Sequence, residues 1–409
     1  MNKRYFKWKN VLLAVVVVFI LTAVACTGGN GEIPTLKIYN WADTDVDGIW
    51  NHPDDPYAFY AIYSEDECKV EWDFYLDTYA ALAKMEADPA YADVISTIGS
   101  SHTSLWYDRP DPLIGPIDTD LLPCWDEMYP ALQDLPGMWY GEDLVAVPES
   151  FGLTLMQYRT DMLLDAGFTL EEFANNLSFI FKDDPRLHGK IYYYDSADES
   201  LPFLLMAAGV PPEDIWTNNV TKLQPGGEYY ELLMDKWVAA KDNIGGFWAG
   251  WYESMEMLTG ENPQAWILNA WNDIYMWSAL DLEETLNLTD GRDALGYMAS
   301  NQSVLGYCTC VFIRAGLAEE DPYLYEAAHV WTNANISKFA GIYRLEEWAF
   351  GTPNMNSAAE AEPYADWLVE EFNLDDPETL IAEANFYQPL ENETHEAWTN
   401  LWVQLKAAL

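Results

Sequence analysis

Apolar positions change rhythm several times along this chain, and each change predicts a different element. Residues Val11 to Val24 are almost wholly apolar behind a basic start of Lys3, Arg4, Lys7 and Lys9. That run is shorter than the roughly 20 residues a membrane-spanning helix needs, so residues 1–25 read as an export signal. From Leu36 the apolar runs become short and strand-like, and they alternate with helical spacing. "LKIYNW" predicts a first strand and "CKVEWDFYL" a second. After the second strand Asp77 or Thr78 can cap a helix that places Ala81, Leu82 and Met85 on one face. "ADVISTIGSS" predicts a third strand. "DLVAVPESFGLTLMQYRTDMLLDAGF" predicts a strand broken around Pro148 and Gly152, then a second strand and a helix. The grammar of strand, polar turn and helix recurs in "GKIYYYDSADESLPFLLMAAGV" and "AWILNAWNDIYMWSALDLE". A final amphipathic helix in "HEAWTNLWVQLKAAL" turns Trp398, Leu401, Trp402 and Leu405 to the core. Alternation of this kind predicts an α/β fold, and the length allows two lobes with separate cores.

Charge narrows the partners. The 409 residues carry 67 acidic against 20 basic side chains, a formal net charge of −47. Such a surface repels nucleic acid and anionic lipid and attracts cations. No GxxxxGK, HExxH or GxSxG motif occurs and the five histidines are scattered, so neither an enzyme nor a cofactor is expected. Cys308 and Cys310 alternate on one strand and read as buried thiols, while Cys68 and Cys124 could pair outside the cell.

The candidate chemistry lies at the ends of strands, where open α/β sheets place their ligands. Trp41 with Asp43, Tyr194 with Asp195 and Glu199, and Trp271 with Asp273 each set an aromatic ring beside an acid, and Tyr307 marks a fourth site. An ammonium group over an aromatic face gains about 0.5–2 kcal/mol. A carboxylate accepting its N–H donors adds charge-assisted hydrogen bonds. Trp248 and Trp251, flanked by glycines in "GGFWAGWYES", are further candidates for the cleft wall.

Two resemblances sharpen these expectations. "LTAVAC" resembles a bacterial lipobox, which implies lipidation at Cys26, residues 26–32 as a tether, and an anchor on the outer face of the cytoplasmic membrane or in the periplasm. Across nearly the whole remaining chain, "LKIYNWAD", "YADVIS", "LVAVPESFGLTLMQY", "LHGKIYYYDSADES", "AWILNAWND", "FGTPN" and "LWVQLKAAL" occur in the order of the spermidine/putrescine-binding proteins of polyamine ABC transporters, which the chain resembles. The resemblance implies a two-lobed type II periplasmic-binding-protein fold with hinge strands between the lobes. Residues 33–148 and 269–317 would form the N-terminal lobe, and 149–268 and 318–409 the C-terminal lobe. It implies a small cationic ligand, a polyamine, and a permease partner. Trp41, Trp271 and Tyr307 would box the ligand, Glu199 with Asp195 or Ser196 would hold one amine, Asp273 would stand beside the box, and Trp251 and Gln388 would add contacts. Thr44, Ser196 and Thr309 occupy positions where members of the family often carry a Tyr or an acid. An amino-compound, sugar or ferric-ion receptor and an exported carboxylate-pair hydrolase are the alternative readings.

Overall fold

The computed structural model describes residues 33–41, 52–216, 218–298, 304–363 and 366–409. The export signal, Cys26, the tether and Asp43 lie outside the described residues.

Among the described residues the chain forms β1 Thr35–Trp41, β2 Lys69–Tyr75, β3 Val94–Gly99, β4 Trp139–Tyr140, β5 Asp143–Leu144, β6 Val147–Arg159, β7 Ile191–Tyr194, β8 Ile244–Trp248, β9 Ile267–Trp271, β10 Leu295–Tyr297, β11 Leu305–Ile313 and β12 Asn385–Phe386. One mixed sheet runs β2-β1-β3-β11-β6-β9-β7-β8, with β10 beside β6 and β12 beside β11. At one end β2, β1 and β3 are parallel. At the other end β9, β7 and β8 are parallel. Between them β11 and β6 run antiparallel to each other and to their neighbours β3 and β9. Two parallel half-sheets are thus joined by a pair of crossing strands, which leaves their carboxyl ends free to face a shared cleft.

The crossing strand β6 departs from the sequence pattern. Pro148 and Gly152 predict a break, yet all 13 residues form one strand and all are buried. The pairing with β11 slips where Pro148 meets Cys310, so the proline without an N–H lies beside a bulge at Glu149. Gly152 is needed for a different reason. A Cβ there would come within 2.5 Å of Asn272 Oδ1 and 2.6 Å of the Tyr307 hydroxyl.

The buried side chains fall into two apolar clusters. One gathers Leu36, Ile38, Val94, Trp106, Phe312 and Trp331, the other Phe173, Leu201, Trp237, Trp398 and Leu405. The tail helix Asn392–Ala407 packs into the second cluster with the face that its spacing predicts. The region 318–384, expected with the C-terminal lobe, buries Ala327, Trp331, Ile336 and Leu345 in the first cluster, which also takes in Tyr194, Trp248 and Leu258 from that expected lobe. Amphipathic helices can cover either half-sheet, and their periodicity does not say which. Cys68, Cys124, Cys308 and Cys310 are all buried and free, so the possible Cys68 to Cys124 bridge does not form.

Candidate ligand-binding cleft

Four strand ends meet in one cleft. Trp41 closes β1, Gly99 closes β3, Tyr194 closes β7 and Trp271 closes β9, and all four residues line it. The crossing strands add Glu149 and Ser150 from β6 and Tyr307 and Thr309 from β11. Free space of about 150 Å³ within these walls suits a small solute.

Trp271 is the hub of the aromatic wall. Its ring meets Trp41 edge-on at 6.4 Å, Tyr194 at 5.2 Å and Trp248 at 5.8 Å. Trp248 stacks on Tyr194 at 4.4 Å and is itself buried, so it backs the wall rather than forming it. The near-perpendicular contacts of Trp271 hold its ring in one orientation. Thr97 lies in the lining with φ 64°, an unusual conformation for a β-branched residue, and its hydroxyl donates to Asn40 Oδ1 at 2.9 Å. Strain of that kind clusters where the chain must present a particular surface.

Five carboxylates line the same space, and three of them have duties within the protein. Asp77 caps the helix Thr78–Ala87 by accepting from the Ala80 N–H at 2.7 Å. Glu149 faces buried Arg344 at 3.4 Å. Asp198 faces His102 Nε2 at 3.0 Å. Burial alone would raise the Asp198 carboxyl, but the imidazoles of His102 and His395 hold it well below the usual carboxylate range. Burial likewise acts to lower His102, and Asp198 overrides it, so the net shift of His102 is upward.

Glu199 and Asp273 face neutral donors. Glu199 accepts from the Tyr387 hydroxyl at 2.6 Å and from Thr154 at 2.9 Å. It is partly exposed to the cleft and otherwise enclosed by protein, and this burial pushes its carboxyl above the ordinary value against the pull of those two hydrogen bonds. Buried Asn269 fixes the backbone around it, accepting from Tyr194 N–H at 2.8 Å and donating to the Glu199 carbonyl at 3.2 Å. Asp273 stands in the first turn of the helix Asn272–Leu286 and accepts from the Trp251 indole at 2.5 Å. Its neighbour Asn272 accepts from Leu153 N–H at 2.8 Å and donates to the Ala349 carbonyl at 2.5 Å, tying the helix start to β6.

Trp41, Ser196, Glu199, Trp251, Trp271, Asp273 and Tyr307 therefore converge on the cleft as the sequence predicts. Asp195 does not. It is exposed and accepts from Lys406 at 2.6 Å and the Trp402 indole at 2.9 Å, because the chain turns outward after β7 and only the following helical turn brings Glu199 back. Gln388 donates to the Phe386 carbonyl at 3.1 Å, and its neighbour Tyr387 takes the place in the wall. A one-residue change of parity along an extended segment reverses the facing of a side chain. The sequence reading passed over Glu149, Asp198, His102, Tyr79, Tyr387 and Arg344, all of which line the cleft. His102 had one available signal, since it follows the carboxyl end of β3 directly.

No family model matches the chain, and no curated protein matches it. Solved structures do. A putative spermidine/putrescine ABC transporter from Listeria monocytogenes superposes with a TM-score of 0.67 at 19% identity, covering 91% of this chain and 98% of that one. The spermidine/putrescine ABC transporter substrate-binding protein PotD from Streptococcus pneumoniae, in complex with calcium and HEPES, gives 0.64 at 15% identity, with 92% and 99% covered. A GABA receptor gives 0.61 at 14% identity, with 91% and 97% covered. The chain has the two-lobed fold of these substrate-binding proteins.

Proposed function

We propose that this protein is the extracytoplasmic receptor of an ABC importer and that its cleft takes a polyamine such as putrescine or spermidine. One observation carries the reading: the rings of Trp41, Trp271 and Tyr307 and the carboxylates of Glu199 and Asp273 line one small cleft at the carboxyl ends of the strands. The aromatic faces suit methylene and ammonium segments, and the two carboxylates suit amine N–H groups. A ligand touching both lobes favours the closed arrangement, which is the form a permease would recognise. The lipobox-like "LTAVAC" supports anchoring through lipidation at Cys26. Replacing Cys26 with Ser should release the protein from the membrane fraction.

Arg344 favours a second reading. Its guanidinium is a cation in the cleft wall, and Ser196 and Thr309 stand there without charge. In this reading an amino compound that also carries an acid group meets that guanidinium beside its partner Glu149. A thermal-shift screen with putrescine, spermidine, spermine, γ-aminobutyrate, other amino acids, sugars and ferric citrate separates the readings. A ligand at 100 times its dissociation constant adds about 2.7 kcal/mol. Stabilisation by polyamines supports the first reading, and stabilisation by amino acids alone replaces it with the second.

A further inference from the structure

Four side chains beside the cleft form a cluster that amine binding does not require. Tyr79, from the helix Thr78–Ala87, and His102, at the end of the turn Ser100–His102, follow β2 and β3. Asp198, from the helix Ala197–Ala208, follows β7, and His395 comes from the closing helix Asn392–Ala407. His102 Nε2 is 3.0 Å from Asp198 Oδ2, and His395 Nδ1 is 3.5 Å from Asp198 Oδ1. The Tyr79 hydroxyl is 2.8 Å from Asp198 Oδ2 and 3.1 Å from His395 Nδ1. His102, Asp198 and His395 are only 8%, 6% and 2% exposed.

Hydrogen bonds alone leave this group unsatisfied. His395 Nε2 faces the Ser101 carbonyl at 3.3 Å, which calls for an N–H on that nitrogen. His395 Nδ1 in turn faces Tyr79 and Asp198. Tyr79 has one proton for two acceptors, and Asp198 Oδ1 is buried without a hydrogen-bond partner. A buried carboxylate flanked by two imidazoles has the donor types of a metal site.

We propose that His102, Asp198 and His395 bind a divalent ion of the zinc type, with Tyr79 or a water as the fourth ligand. Their ligand atoms all lie within 4.8 Å of one another. A tetrahedral zinc site with bonds of 2.0–2.1 Å has ligand-to-ligand edges of about 3.3 Å; His102 Nε2 and the Tyr79 hydroxyl stand 3.0 and 2.8 Å from Asp198 Oδ2, and Tyr79 stands 3.1 Å from His395 Nδ1. The outer contacts fit as well. Ser101 meets His395 Nε2 through its carbonyl and His102 Nδ1 through its hydroxyl at 3.3 Å, so each imidazole is oriented from its non-ligating nitrogen. Two imidazoles and one carboxylate are a donor set for zinc or ferrous iron and not for calcium or magnesium. Because the ligands come from helices and turns of both half-sheets, the ion would pin the two sides of the cleft together, independently of which solute the cleft takes.

The test uses the chelator-treated protein titrated with cobalt(II) as an optical stand-in for zinc, with millimolar magnesium present to occupy the acidic surface. The proposal expects one equivalent of cobalt with the visible bands of a low-coordinate site, displaced by zinc, and affinity reduced more than about 100-fold in both His102→Gln and His395→Gln. X-ray absorption of the zinc-loaded wild-type protein, which needs no variant to fold, should show scattering from two imidazoles. Absence of the cobalt bands, affinity unchanged in both variants, or a zinc shell without imidazole would each overturn the site.

Discussion

Asp198 and Glu199 are neighbours in sequence and opposites in state. Both sit in the first turn of one helix and both line the cleft. Asp198 is held ionised by two imidazoles, whereas Glu199 meets neutral hydroxyls and is pushed by burial towards its protonated form. The difference shows that partners, not residue type, decide a carboxylate's state, and in the proposed reading Glu199 is the one that meets the ligand. An amine arriving at Glu199 replaces neutral donors with charged ones, while an amine at Asp198 would have to displace histidine.

The change that should break this comparison most severely is Asp198→Asn. Removing one partner of a buried ion pair costs about 3–5 kcal/mol, so urea unfolding should show a loss of that order. A loss below about 1 kcal/mol would mean that the histidines do not depend on Asp198. Glu199→Gln should do the reverse, leaving unfolding free energy unchanged or higher while weakening a cationic ligand by about 1.5–3 kcal/mol in calorimetry, roughly ten- to hundredfold.

The same variant sharpens the pH dependence. Because the Glu199 carboxyl is raised, amine affinity should fall as pH drops through its folded value, where the ionised form is lost. Stability of the ligand-free protein should run the other way. The contribution of Glu199 is full below the ordinary carboxylate value and is lost as pH rises through the raised one. In Glu199→Gln both dependences on this group should vanish. Smaller again is Trp41→Ala, which removes one ring face and should weaken amine binding by about 1–2 kcal/mol, roughly tenfold. Smallest is Lys406→Ala. It breaks the exposed pair with Asp195, should cost at most about 1 kcal/mol of stability, and should leave ligand affinity unchanged. A tenfold loss of affinity there would return Asp195 to the cleft.

What was legible in the sequence follows the same division. Aromatic residues next to acids at strand ends were readable because strand, turn and helix are local, and Trp41, Trp271, Asp273 and Glu199 converge as that pattern predicts. The single strand β6 was not readable, since Pro148 and Gly152 look like breakers until a bulge and the ring of Tyr307 explain them. Asp198 stood beside Glu199 in "DSADES" but gave no signal, because His102 lies 96 residues away and only the fold joins them. Tyr387 and Gln388 differ by one step of alternation, which residue order alone does not resolve.

The proposed role of Glu199 as the ligand-facing acid is tested by calorimetry of spermidine and putrescine binding to wild-type protein and Glu199→Gln at two pH values. The predicted result is saturable one-to-one binding to the wild type that strengthens at the higher pH, with affinity reduced at least tenfold and flat with pH in the variant. Equal binding by the two proteins, or no polyamine binding by the wild type, would contradict the assignment.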